Sequence, residues 1–293
     1  MLVPMRKPGS SPPDVLVLGG GGLLGEAWMT GVLAGYEEAS GADLTRCRAW
    51  VGTSAGSIVA AGLAAGRRPR RAADALDDDE VPAAPRTSSG GAGLRRAGAV
   101  LGVLGTPAGL ATRAPGGARA RALLLRRLPQ GRRGLKALEA EVERWEPGWA
   151  GLRVCTVDRD TGQRVTFGSR GGPPARVGEA VAASCAVPGI FRPVRIGART
   201  YVDGGVWSPT NADAAPAGRG DRVLVLEPTA VLLGGALRAA GAVEALALRR
   251  RGAQVRLVAP DAGAAPLMGR LMRPDTGDRV LAAGWRQGLA LAA

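Results

Sequence analysis

Apolar positions along the chain follow two rhythms. VLVLG (15–19) and CRAWVG (47–52) are short, mainly apolar runs bounded by glycine or polar residues, the pattern of strands buried in a sheet. Between and after them the apolar spacing widens to that of helices, predicted over 26–39 and 55–65. This β-α-β-α order predicts the α/β class, with a mainly parallel central sheet and helices on both faces. Further on, LRVCTVD (152–158), a turn at 159–162 and QRVTFG (163–168) predict a hairpin. TYVDGG (200–205) reads as a short strand with an acid at its end, and RVLVLEP (222–228) and QVRLVAP (254–260) as further buried strands. Helices are predicted at 119–128, 134–145, 174–185, 235–251, 262–272 and 275–291.

Two tracts break the pattern. Residues 1–13, rich in Pro and Ser, are expected to be a disordered lead-in. Residues 67–117 run from RRPRR through DDDE into a Gly/Ala/Pro/Ser tract without periodicity, read as an insertion or lid or as a plain polar loop. No internal repeat or clear linker divides the rest, so 14–293 is expected to be one domain.

Composition changes this picture only in places. Of 293 residues, 46% are hydrophobic but 3% aromatic, so the core must be built mainly from Val, Leu, Ile and Ala. The formal charge is +14, and every basic residue except Lys7 and Lys136 is Arg. Ala, Gly, Pro and Arg all have GC-rich codons, which discounts that charge as evidence for a partner. No recognition module or set of aromatic platforms supports nucleic-acid binding. Weak attraction to an anionic membrane surface stays open beside the plainer reading, a solvated Arg-rich surface. Cys47, Cys155 and Cys185 are far apart and lack metal-like spacing, which predicts free, mostly buried thiols in a reducing compartment. The N-terminus has no apolar signal core, and the most apolar loop-like run, AVLGVLGTPAGLA (99–111), is short and broken. The expectation is a soluble cytoplasmic protein, with peripheral contact to a membrane from outside left open.

The chemistry starts at GTSAG (52–56), which follows an apolar strand and precedes a helix. That is the setting of a nucleophile elbow, with Gly52 and Gly56 relieving crowding around Ser54. The chain contains no histidine, so the base must be a carboxylate, a lysine or a water. Neither lysine sits in a motif. Asp203 ends a strand and is followed by Gly204 and Gly205, and strands of a parallel-type sheet share one C-terminal edge where it could meet Ser54.

GGGGLLG (19–25) admits three readings: a ligand-free tight turn, a dinucleotide fingerprint or an oxyanion hole. The dinucleotide reading needs an acid closing the second strand, whereas Asp43 lies before that strand.

Four stretches in order, LGGGGLLG (18–25), GTSAG (52–56), ASCAVPGIFRPV (183–194) and DGGVWSPTNAD (203–213), resemble the patatin-like phospholipase family. The resemblance spans about residues 14–227 and leaves 67–150 unexplained. It implies a fold like the catalytic domain of cytosolic phospholipase A2 and a lipid acyl hydrolase with a serine–aspartate dyad. Ser54 would be the nucleophile and Asp203 the general base. Gly20, Gly21 and Gly22 would supply oxyanion donors, and Gly25 would close the motif. Leu24 stands where the family often has a basic residue, Pro188 is expected to set a turn, and Cys185 receives no catalytic role. The alternatives are an NAD(P)-binding protein using GGGGLLG, or a catalytically silent lipid-binding relative. No cofactor is expected and no metal, Asp77, Asp78 and Asp79 reading as a solvated charge run. A dyad would also leave activity free of an imidazole-type inflection between about pH 6 and 7, unless the carboxylate's own pKa climbs that far.

Overall fold

The computed structural model describes residues 11–69, 117–231, 236–269 and 276–292, with the backbone alone at 236–238. Eight strands among them form one sheet: β1 (Val15–Leu18), β2 (Ala49–Thr53), β3 (Leu152–Asp158), β4 (Arg164–Phe167), β5 (Val194–Ile196), β6 (Arg199–Asp203), β7 (Arg222–Leu226) and β8 (Gln254–Val258). The helices are α1 (Gly22–Ser40), α2 (Ala55–Ala64), α3 (Gly117–Arg127), α4 (Lys136–Glu143), α5 (Val177–Ser184), α6 (Ala236–Arg250) and α7 (Gly277–Ala292).

Strands β8, β7, β1, β2 and β3 run parallel, in that order across the sheet. β1 is buried on both faces, which explains its unbroken apolar run. Leu16 and Leu18 join the core against Trp28 and Leu33 of α1, while Val15 and Val17 pack with Ala212, Val225 and Leu248 on the other face. Burying such side chains contributes roughly 1.5–3 kcal/mol each.

The antiparallel half meets this block at β3. One edge of β3 pairs with β4. Its other edge pairs first with β2, ending at Thr53 opposite Cys155, and then with β6, ending at Asp203 opposite Thr156. The C-terminal ends of β2 and β6 therefore meet head to head along one strand.

Several expectations change. Asp203 arrives on an antiparallel strand rather than on the shared edge of parallel ones. β5 was not expected; a two-residue turn, with Gly197 at φ 58°, folds it onto β6. No α-helix fills the described part of 262–272: a helix starting at 262 would hold Pro266 in its interior, and the segment forms a short 3-10 turn over Ala265–Met268 with the proline in its first turn. Most of the 67–117 tract, with Asp77, Asp78 and Asp79, and most of the 1–13 lead-in fall outside the described residues. The carbonyls of Ser11 and Pro12 accept hydrogen bonds from Arg222, so that end of the lead-in is held against β7. Among the described residues, no helix is long and apolar enough to cross a membrane.

Candidate active site

Ser54 sits between the last residue of β2 and the first of α2 with φ 51° and ψ −126°, a region that non-glycine residues rarely occupy. Holding it there costs on the order of 1–3 kcal/mol, so the surroundings must enforce it. They do so on both sides. The Ser54 N–H donates to Ser184 Oγ at 2.9 Å, and that hydroxyl donates to Cys155 O at 2.7 Å. The Ser54 carbonyl accepts from Ser57 N at 2.8 Å and from Ser57 Oγ at 2.6 Å. Neighbouring Gly56 lies against the carbonyl of Leu18, where a Cβ would clash.

Asp203 is 3% exposed. Its Oδ1 accepts from Gly205 N at 2.6 Å, whereas Oδ2 is buried without a hydrogen-bond partner. Burial pushes the carboxyl up to about 7, opposed by the Gly205 amide and by the Ser54 hydroxyl, which lies within hydrogen-bonding influence of it. Ser54 and Asp203 are thus neighbours, without a hydrogen bond of full geometry between them. Gly204 makes the approach feasible, since a side chain there would run into the Cys155 carbonyl.

The glycine loop comes up beside Ser54: a Cβ on Gly20 would lie 3.4 Å from the Ser54 Cβ. Gly20 is not a free donor, however, because its N–H is bonded to Pro209 O at 2.7 Å. This corrects the expected donor set, and Gly20 instead leaves space next to the serine. The Gly25 amide is likewise used within α1, donating to Gly21 O at 2.9 Å, and Gly25 packs on Pro228. The amides of Gly21 and Gly22 have no hydrogen-bond partner among the described residues, nor does that of Ala55 at the start of α2. Gly22, at φ 57°, turns the chain into α1.

The family model for patatin-like phospholipases matches residues 16–216. The chain belongs to the patatin-like phospholipase family. Among solved structures it is similar to the type III effector protein ExoU, with 20% identity and a TM-score of 0.42, covering 95% of this chain and 52% of that one. VipD from Legionella pneumophila gives 15% identity and a TM-score of 0.42, covering 96% and 66%. The ExoU–SpcU heterodimer from the type III secretion system of Pseudomonas aeruginosa gives 24% identity and a TM-score of 0.37, covering 96% and 53%. The chain thus spans between 52% and 66% of the length of these structures. No curated protein matches it.

As a patatin-like chain it departs from the common motif at Leu24, which is 1% exposed and packed in the core. The dinucleotide alternative finds no acid at the end of β2, since Asp43 caps Thr45 N at 3.0 Å and pairs with Arg68.

Four groups beside the site carried no role in the sequence reading. Ser184 is the polar end of the small-residue helix α5 and fixes the Ser54 backbone. Asn211, fully buried with φ 53°, donates through Nδ2 to Thr53 Oγ1 at 3.1 Å and to Gly204 O at 3.2 Å. It thereby ties the residue before Ser54 to the residue after Asp203. Its Oδ1 accepts from Arg164 at 3.3 Å, and Arg164 forms a two-bond pair with Asp213 at 2.5 and 2.9 Å. Glu26, in the first turns of α1, is raised to about 7 by burial. Cys185 lies 3.9 Å from Ser57 Oγ, and its thiol is raised far above the ordinary range by burial and by the charges of Asp203 and Glu26. Such a thiol stays protonated and unreactive.

Proposed function

We propose that this chain hydrolyses acyl esters of lipids, with Ser54 as nucleophile and Asp203 as its general base. The observation that carries the reading is the strained Ser54 facing a buried carboxyl whose Oδ2 has no other partner. Asp203 takes the Ser54 proton as Oγ attacks the ester carbon. The carbonyl electrons move onto oxygen, and the amides of Gly21, Gly22 and Ala55 stabilise the resulting anion together with the N-terminal ends of α1 and α2. On collapse the alkoxide leaves with the proton returned by Asp203, giving acyl-Ser54. Water then gives its proton to Asp203 and its oxygen to the acyl carbon, releasing fatty acid and restoring Ser54.

Burial makes Asp203 a better base than an ordinary carboxylate, whose pKa is about 4. No cofactor or metal enters this scheme. We place the enzyme in the cytoplasm, reaching its substrate at a membrane surface. Fatty-acid release from a panel of phospholipids, lysophospholipids and neutral esters tests the reading. Turnover of at least one class, abolished in Ser54→Ala, is expected. Lipid binding without turnover by the wild type would favour a silent relative.

A further inference from the structure

α3 presents an outer face that combines exposed leucines with exposed arginines. Leu123 and Leu124 are 54% and 37% exposed. They lie among exposed Arg119, Ala120, Arg126 and Arg127, and the helix, GARARALLLRR, contains no acid. Arg126 reaches Asp160, whereas Arg119 and Arg127 form no ion pair among the described residues. Isolated exposed leucines are common, but two consecutive ones inside a cationic rim on a helix form an amphipathic face.

The opposite side of α3 is firmly held. Arg121, 1% exposed, stacks on Trp207 with 4.4 Å to the ring centroid and bonds to Gly162 O at 2.5 Å. Leu125 packs with Val157, Val202 and Val206. The helix is therefore anchored to the turn between β3 and β4 and to the segment just after Asp203. The chain leaving it packs on the loop between Ser184 and Asp203, with Gly131 against Ile190 and Arg192 N bonded to Arg133 O at 2.8 Å.

We infer that the outer face of α3 docks this chain on an anionic bilayer, seating Leu123 and Leu124 among the acyl chains while the arginines meet lipid phosphates. The charge of the rim selects the occupant, because a cationic rim around two leucines complements an anionic lipid surface. Docking there would hold the bilayer next to the helix that packs on the segment just after Asp203. The inference rests on the lipid reading, and its test does not depend on turnover.

The full chain carrying Ser54→Ala is sedimented with vesicles of phosphatidylglycerol or of phosphatidylcholine at low and high salt. Binding to phosphatidylglycerol should exceed binding to phosphatidylcholine at least tenfold and weaken severalfold as salt rises. Leu123→Glu/Leu124→Glu should reduce it at least tenfold with unchanged thermal melting. Val243→Glu/Leu246→Glu, which alters the exposed apolar pair on α6, should retain it. Equal binding to both lipids, equal loss from both double variants, or a Leu123/Leu124-dependent dimer without vesicle binding would overturn the inference. Hydrolysis that survives Ser54→Ala would sink the catalytic reading and leave the docking result standing.

Discussion

Thr53 and Asp203 end their strands on consecutive rungs of β3, opposite Cys155 and Thr156. One more residue beyond Thr53 delivers Ser54 to the buried carboxyl. Two strands meeting end to end need something to hold them together, and Asn211 bonds to both ends. Replacing it with Asp keeps the shape and removes both donors. Asn211→Asp is expected to lower kcat on the order of 100-fold, the scale of losses from a misplacement of about 1 Å. KM should stay within about twofold. Asn211→Gly, which keeps the left-handed backbone, should lose as much. Steady-state kinetics checks this, and a KM effect without a kcat effect would assign Asn211 to substrate binding.

Asp203 should weaken the fold while serving the chemistry. Its folded pKa of about 7 lies above the unfolded value of about 3.9. Below pH 4 both states hold the proton and the residue is neutral to stability. Between about pH 4 and 7 the folded state binds the proton more tightly, so its stability falls as pH rises. Above 7 the full penalty applies, at about 1.4 kcal/mol per pKa unit. Asp203→Asn should therefore raise the melting temperature at pH 8 and leave it nearly unchanged at pH 4. Equal shifts at both pH values would contradict the buried charge.

Only ionised Asp203 can accept a proton, so kcat/KM should rise with pH through about 7 and then level off. The inflection not expected of an ordinary carboxylate is thus expected of this one. Glu26 is also raised to about 7 and must be separated from it. Glu26→Gln should keep the inflection, shifted only slightly. Its disappearance in that variant would assign the titration to Glu26.

Much of this was legible in the sequence, for physical reasons. The strand before GTSAG is apolar, the glycines around Ser54 mark a crowded turn, and the absence of histidine narrows a base to a carboxylate, a lysine or a water. The meeting of β2 and β6 was not legible, because pairing register depends on partners distant along the chain. Gly20 was misassigned for the same reason: its amide is taken by Pro209, 189 residues further along the chain. Local signals could have found β5, since the Gly197–Ala198 turn separates two extended segments, and could have removed the helix at 262–272 through Pro266. Ser184 and Asn211 lay inside recognised stretches, but a buried polar side chain shows its task only once its partners are in place.

The central claim is most directly tested by fluorophosphonate labelling followed by mapping of the modified residue. The wild type should be labelled at Ser54 alone. Ser54→Ala should take up none, and Asp203→Asn should react at least about 100-fold more slowly, in the range set by loss of a general base. Labelling that persists in Ser54→Ala, or an undiminished rate in Asp203→Asn, would contradict the account.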